Sequence, residues 1–351
     1  MNIELNVGNL WTTEFLNYII DANKRYAPST AVTSLYGSIP KYTASARSAD
    51  RLPDRDDEFL EDYIQRAREN NIHIRWTLNQ SCLGSSNEFY DHWYKHMRPI
   101  VLKLTSMGVD QWTIASPLIM ELMRDLLPEA LLEVSTIAEV NSVLELDRWV
   151  SIGANGVNLS IMANRDFKLL ENIADFCYSK NIDITLLANE FCLYKCPWRT
   201  ECYNLSSHNS QRSGELFDYY PFSRCNNVRL RNPVEWVRAR FILPQWMGEY
   251  SCCVGINKFK ITGRTASFSA VQPIIEAYMK QEYKGNLLGL WPTISPLGNT
   301  AEPADSIYID VETFDKYRFL EHFMIDYLSC SVQDCSGCRI CETFTRRATG
   351  R

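Results

Sequence analysis

Gln111–Trp149, QWTIASPLIMELMRDLLPEALLEVSTIAEVNSVLELDRW, decides the fold of this chain. A β-rich run over Gln111–Ser116 gives way to helical spacing over Pro117–Leu126, and a second run, Leu131–Thr136, leads into helical spacing over Ile137–Trp149. The apolar period therefore switches between that of a strand and that of a helix, and back again. Ser135 and Thr136 stand where side-chain oxygens accept the free N–H groups of a helix start. Strands that alternate with helices pair in parallel through right-handed crossovers.

The same alternation extends in both directions. Further strand runs are Ile3–Val7, Ala31–Tyr36, Ile72–Asn79, Val157–Ile161, Ile182–Asn189 and Ile256–Ile261, which makes eight. The remaining helices are expected over Leu10–Asn23, Asp54–Asn70, Asn87–Ser106, Asp166–Lys180 (with Asn164 and Asp166 as start signals) and Phe268–Tyr283. Eight units of this length predict closure into a (β/α)8 TIM-type barrel, an α/β fold, in preference to an open doubly wound sheet. The VGNLW that follows the first strand lacks the spaced glycines of a dinucleotide-binding turn.

The 351 residues, 46% of them hydrophobic, are expected to form one main domain with an appendage. The barrel is placed at 1–284, including a long cysteine-bearing loop, 190–232, after the seventh strand, and a C-terminal arm at 285–351. Pro292, Pro296 and Pro303 make the start of the arm read as extended, with a short helix near Phe314–Leu328. A net charge of -6 argues against a broad nucleic-acid surface. The N-terminal MNIELNVG does not read as a signal peptide, and the sequence has no apolar run long enough for a membrane span, so a cytoplasmic location is expected.

Twelve cysteines in such a chain point to metal ligation rather than disulfides. Cys192, Cys196, Cys202 and Cys225 fall in the long loop, which in a barrel lies on the catalytic face. Cys330, Cys335, Cys338 and Cys341 form a C-x4-C-x2-C-x2-C run in which Gly337 permits tight turns. Each group offers four soft ligands for a 4Fe–4S cluster, one expected and a second open, and spacing alone leaves zinc as the alternative. Cys177 is assigned to the core; Cys82, near the mouth, and the adjacent Cys252 and Cys253 are left without roles.

The run NEFCLYKCPWRTECYNLSSH at 189–208, the later YPFSRC, and GINKFKITGR at 255–264 resemble peptidase family U32, the collagenase-like proteins. In that resemblance Glu190 is the acidic residue leading into the cysteine loop, and Lys260, Ile261, Gly263 and Arg264 form the later Lys-Ile-x-Gly-Arg element. LYGSIPK, WTLNQSCLG and LLEVSTIAEVNSV carry it upstream, so that it covers about the first 285 residues. The chain departs from the family pattern in its compact Cys192-x3-Cys196-Pro197 form and in Thr262, where an acidic residue is common. The members most similar to it imply a cytosolic iron–sulfur enzyme of oxygen-independent hydroxylation, with a 4Fe–4S cluster on the loop cysteines and prephenate as oxygen donor. Other members are labelled peptidases. A non-catalytic iron–sulfur or zinc accessory protein is the third reading.

A carboxylate-bearing donor needs cations at the barrel mouth, for which Arg199, Arg264 and Lys260 are the candidates. Alternation places Lys258 and Lys260 on one face of the last strand, opposite Phe259 and Ile261. Glu190 is assigned proton transfer, and Glu190, Lys260 and Arg264 form the expected catalytic set. Asn79 and Asn189, at strand ends, and His208, in the cysteine loop, are the further candidates for substrate contact, with Tyr36 and Trp198 as stacking surfaces. The acceptor, whether metabolite, peptide or nucleotide, is left open, as is a protein partner or homodimer.

Overall fold

The computed structural model describes residues 2–42, 45–47, 49–83, 90–210, 220–291, 307–325, 330, 335 and 337–350. Eight parallel strands close into a barrel in sequence order: β1 (Ile3–Gly8), β2 (Thr30–Gly37), β3 (His73–Leu78), β4 (Gln111–Ile114), β5 (Leu131–Val134), β6 (Gly156–Asn158), β7 (Asp183–Leu187) and β8 (Lys258–Ile261). All eight expected strands are present, and β8 pairs with β1 to complete the ring. Helices α1 (Thr13–Tyr26), α2 (Asp57–Glu69), α3 (Arg98–Ser106), α4 (Pro117–Leu126), α5 (Val143–Ser151) and α6 (Phe167–Lys180) follow the first six strands in turn. The seventh connection carries α7 (Arg199–Asn209), α8 (Tyr220–Arg231), α9 (Val234–Arg238) and α10 (Met247–Val254), and α11 (Phe268–Lys280) follows β8. Short helices α12 (Glu312–Lys316) and α13 (Glu321–Met324) precede α14 (Ile340–Thr349).

Three expectations are corrected. Ile137–Trp149 is not one helix: a 3-10 turn at Thr136–Ala138 stops at Glu139, whose φ of 56° is left-handed. The helix restarts at Ser142, whose hydroxyl accepts from Glu145 N–H, while the Glu145 carboxylate accepts from Asn141 N–H. Ser142 is thus the stronger cap, and Ser135 caps only the turn. The 190–232 segment is not one long loop either, since α7 and α8 lie within it. The expected Phe314–Leu328 helix is split into α12 and α13 by Arg318, at φ 60°, and its last three positions lie outside the described residues. The first positions of the expected Asn87–Ser106 helix also lie outside them, and a π-helical turn over Trp93–Met97 runs into α3.

The strands are apolar on one side and polar on the other. Arg75 on β3 pairs with Glu133 on β5, and Glu133 accepts from Thr185 on β7, although none of these strands are neighbours. Such contacts form only across the interior, so these side chains point inward. Their alternates (Ile74, Trp76, Leu132, Val134 and Leu186), like Phe259 beside Lys260 on β8, are buried and face the helix layer. Trp76 packs against Trp11, and Phe259 against Tyr250 of α10. Barrel interiors are ordinarily filled by branched apolar residues, whereas this one is filled by charge and amide.

Candidate active site at the barrel mouth

The interior network begins at Glu133, which accepts from Arg75, from Thr113 Oγ1 at 3.4 Å and from Thr185 Oγ1 at 3.2 Å. Gln111 Oε1 in turn accepts from Arg75 Nε and Nη2 at 3.1 and 2.8 Å. Burial pushes the Glu133 carboxyl up, but the charges of Arg75 and Lys260 outweigh it and hold the group below its usual range. Lys260, only 5% exposed, responds the other way. Burial pushes its amine down from 10.5 to about 7, with Arg75 and Arg264 adding repulsion and Glu133 offsetting part of it. Its Nζ lies 4.0 Å from the centre of the Tyr36 ring. Asn6 is paired in register with Lys260, and neither polar atom of its buried amide has a hydrogen-bond partner among the described residues.

One layer nearer the strand ends, Tyr36 donates its hydroxyl to Ile261 O at 3.2 Å, and Arg264 Nη1 donates to Thr77 Oγ1 at 3.0 Å. Burial, with repulsion from Arg47, pushes the Arg264 guanidinium down to about 9. The β1 end approaches this turn closely: a Cβ on Gly8 would lie 2.8 Å from Arg264 N, so only glycine fits. Glu190 Oε1 accepts from Phe191 N at 3.0 Å, and its charge acts on Tyr36, Cys192, Cys202 and Cys225. Arg47 acts on Arg264, Tyr36 and Cys202. The mouth thus gathers Arg47, Lys260, Arg264 and Glu190 about the Tyr36 ring, with cations in excess, an arrangement suited to a small anion.

The first cysteine group converges on the same place. Cys202 interacts electrostatically with Cys225 and Cys196, and Cys192 with Cys202. Burial raises the thiols of Cys192, Cys202 and Cys225. Arg229, 1% exposed and held between Trp236 and Trp291, donates Nη1 to Cys225 Sγ at 3.3 Å, while its Nε has no partner among the described residues. A buried guanidinium aimed at a sulfur suits a thiolate more than a thiol, so this donor set fits a thiolate-bound group in chemistry and in surroundings. Among the described residues no three His, Cys, Asp or Glu side chains are drawn together closely enough to hold a single metal ion.

The structure brings together Glu190, Lys260, Arg264 and the first four cysteines, while the other candidates have partners within the protein or lie elsewhere. Arg199 does not pair with Glu190 or Glu201. Its guanidinium bonds Glu139 at 3.2 Å and Leu193 O at 3.0 Å, anchoring the cysteine segment to the loop after β5. Asn189 joins the ends of β7 and β8, accepting from Thr262 N at 2.6 Å and donating to Leu290 O at 3.1 Å. Asn79 accepts from Ala46 N and donates to Ser135 Oγ, both at 3.3 Å, so its amide holds a loop. Lys258 lies at the opposite end of β8, 2.7 Å from Asp183. His208 is exposed on α7. Cys177 is core, as expected, and Cys252 and Cys253 are exposed on α10. Arg47, Arg75, Glu133, Asn6 and Arg229 were not read from the sequence. For the strand residues a signal existed: each occupies the polar beat of an apolar alternation.

A model of the family described as Peptidase family U32 matches residues 16–192. An uncharacterized protease of Methanocaldococcus jannaschii is 27% identical over 315 residues, which cover 90% of this chain and 88% of that protein. Among solved structures, a U32 peptidase aligns with a TM-score of 0.47 at 14% identity, over 62% of this chain and 83% of that one. A D-psicose 3-epimerase crystallised with D-fructose aligns at 0.38 and 12% identity, over 60% and 82% of the two chains. No helix among the described residues is long and apolar enough to cross a membrane.

Proposed function

Because the chain belongs to peptidase family U32, we propose that it is an iron–sulfur enzyme of that family that modifies its substrate without molecular oxygen, using a small carboxylate donor. The observation that carries this reading is the gathering of Cys192, Cys196, Cys202 and Cys225 beside Glu190, over a mouth supplied with Arg47, Lys260 and Arg264. The four cysteines would hold a 4Fe–4S cluster, which when bound supplies one-electron chemistry that no side chain here can provide.

The chain's own residues have the remaining tasks. Arg264 and Arg47 bind the donor's carboxylates, where a buried guanidinium acts in a low dielectric. Lys260, at about 7, exchanges a proton near neutral pH at the substrate atom set over Tyr36. Glu190, beside the thiols, takes up or returns the proton of the acceptor, and Asn6 offers an amide to the bound molecule. Hydroxylation with a prephenate-like dicarboxylate as oxygen donor is the form of this reaction that the reading favours.

The test is iron and acid-labile sulfide content of protein purified without oxygen, with calorimetric titration of prephenate into it. About four or more irons with matching sulfide, and prephenate binding weakened tenfold or more in Arg264→Met, are expected. Iron-free protein that binds no prephenate would overturn the reading. The name of the Methanocaldococcus jannaschii relative favours peptidase activity as the second reading. Cleavage of a defined peptide by metal-free protein, lost in Glu190→Ala, would put that one in its place.

A further inference from the structure

Two arginines near the C-terminal cysteines have no acidic partner among the described residues. Arg165 is 1% exposed and is packed among the rings of Phe241, Phe319 and Phe323, at 4.6, 4.8 and 5.6 Å from their centres. It donates Nη1 to Val237 O at 2.8 Å, while its Nε and Nη2 have no partner among the described residues. Arg240 is 2% exposed and lies 3.8 Å from the centre of the Tyr194 ring, with Nε and Nη1 likewise unpartnered. The two guanidiniums repel each other, and the groups of opposite sign that act on Arg165 are Cys341, Tyr250 and Cys330. Cys341, on the first turn of α14, feels Arg165, Arg240 and Arg238 together. Cys335 and Cys341 both act on Arg238, and Cys330 and Cys335 on Tyr194, so these three thiols lie about the same side chains without being drawn up to a single point.

Buried cations persist when a buried anion faces them, and neutral thiols supply none. A divalent ion or a 4Fe–4S core bound by four thiolates carries a net charge of about −2 in either case, because binding displaces the thiol protons. Two guanidiniums match that charge. We propose that Cys330, Cys335, Cys338 and Cys341 hold a second thiolate-ligated metal centre, with Arg165 and Arg240 as its buried counter-charges. Arg238 has carboxylate partners of its own in Glu235 and Glu342, so it adds little to this balance. Tyr194, two residues beyond Cys192, donates its hydroxyl to Cys330 O at 2.7 Å, which ties the second centre to the segment carrying the first.

The test uses the full chain, purified without oxygen, and reads iron, zinc and sulfide per chain. In Cys338→Ser/Cys341→Ser the content should fall by about half if both centres are clusters, or by about one zinc with sulfide unchanged. In the complementary Cys192→Ser/Cys196→Ser variant a thiolate-bound metal should remain, and its release to a chelator should quicken severalfold when Arg165→Met and Arg240→Met are added. The complementary variant keeps the test open if the first does not fold. Full metal and sulfide content in Cys338→Ser/Cys341→Ser, or no metal in Cys192→Ser/Cys196→Ser, overturns the proposal. Unaltered protein whose only metal is lost in Cys338→Ser/Cys341→Ser would refute the proposed function and leave this centre standing.

Discussion

Replacing Lys260 by Met should change how the stability of this protein depends on pH. The Lys260 amine is held at about 7 in the folded chain, against 10.5 ordinarily, chiefly by burial. Between those two values the unfolded chain carries a proton that the folded chain does not, so stability rises with pH across that window. Each pH unit within it contributes about 1.4 kcal/mol. Between about pH 6 and 9, where the lower end of the window is rounded, the gain is roughly 2.5 kcal/mol. For a chain of this length the unfolding entropy is about 0.7 kcal/mol per kelvin, so the gain is worth about 3–4 °C in Tm. Lys260→Met lacks the titrating group, while any packing it loses or gains is the same at every pH. Tm measured for both proteins over this range should therefore show the variant's relative stability declining by about 3–4 °C from the acid end to the alkaline end. A difference in Tm that stays constant, or that moves in the variant's favour as pH rises, would refute the assignment of Lys260 as a buried, readily neutralised amine.

Glu133→Gln keeps the shape of the interior but leaves Arg75 and Lys260 without their shared carboxylate. Removing one partner of a buried pair costs about 3–5 kcal/mol, to be read as a lower urea midpoint, and Arg75→Met added to it should restore part of the loss. Asn189→Ala removes the partner of Thr262 N and one donor to Leu290 O. A loss of about 2–3 kcal/mol is expected, with hydrogen exchange at the Thr262 amide accelerated ahead of the rest of the barrel; unchanged exchange there would show that the join does not depend on this side chain.

The sequence determined the barrel, because the apolar period is a local property. Leu132, Val134, Phe259 and Ile261 alternate with polar neighbours whatever lies beside them, and eight such strands separated by helices have few ways to pair. It also supplied the two sets of four thiols, the Lys260 and Arg264 element, and Glu190. Glu139 could not be read as a helix break, since a left-handed residue without glycine leaves no mark in composition. The roles within the site depended on distance between residues far apart in the chain. Arg199 reads like a mouth cation until Glu139, 60 residues away, is found at its guanidinium. Asn189 reads like a substrate amide until Thr262 and Leu290 take up its hydrogen bonds. Glu133 and Arg75 come together only when the barrel closes around them, and Arg165 and Arg240, packed against rings, have no acidic partner among the described residues because of where the fold buries them. Burial and charge pairing are properties of the closed ring, which is why the tertiary structure alone decided which of the chain's charged groups brace the fold and which stand at the mouth.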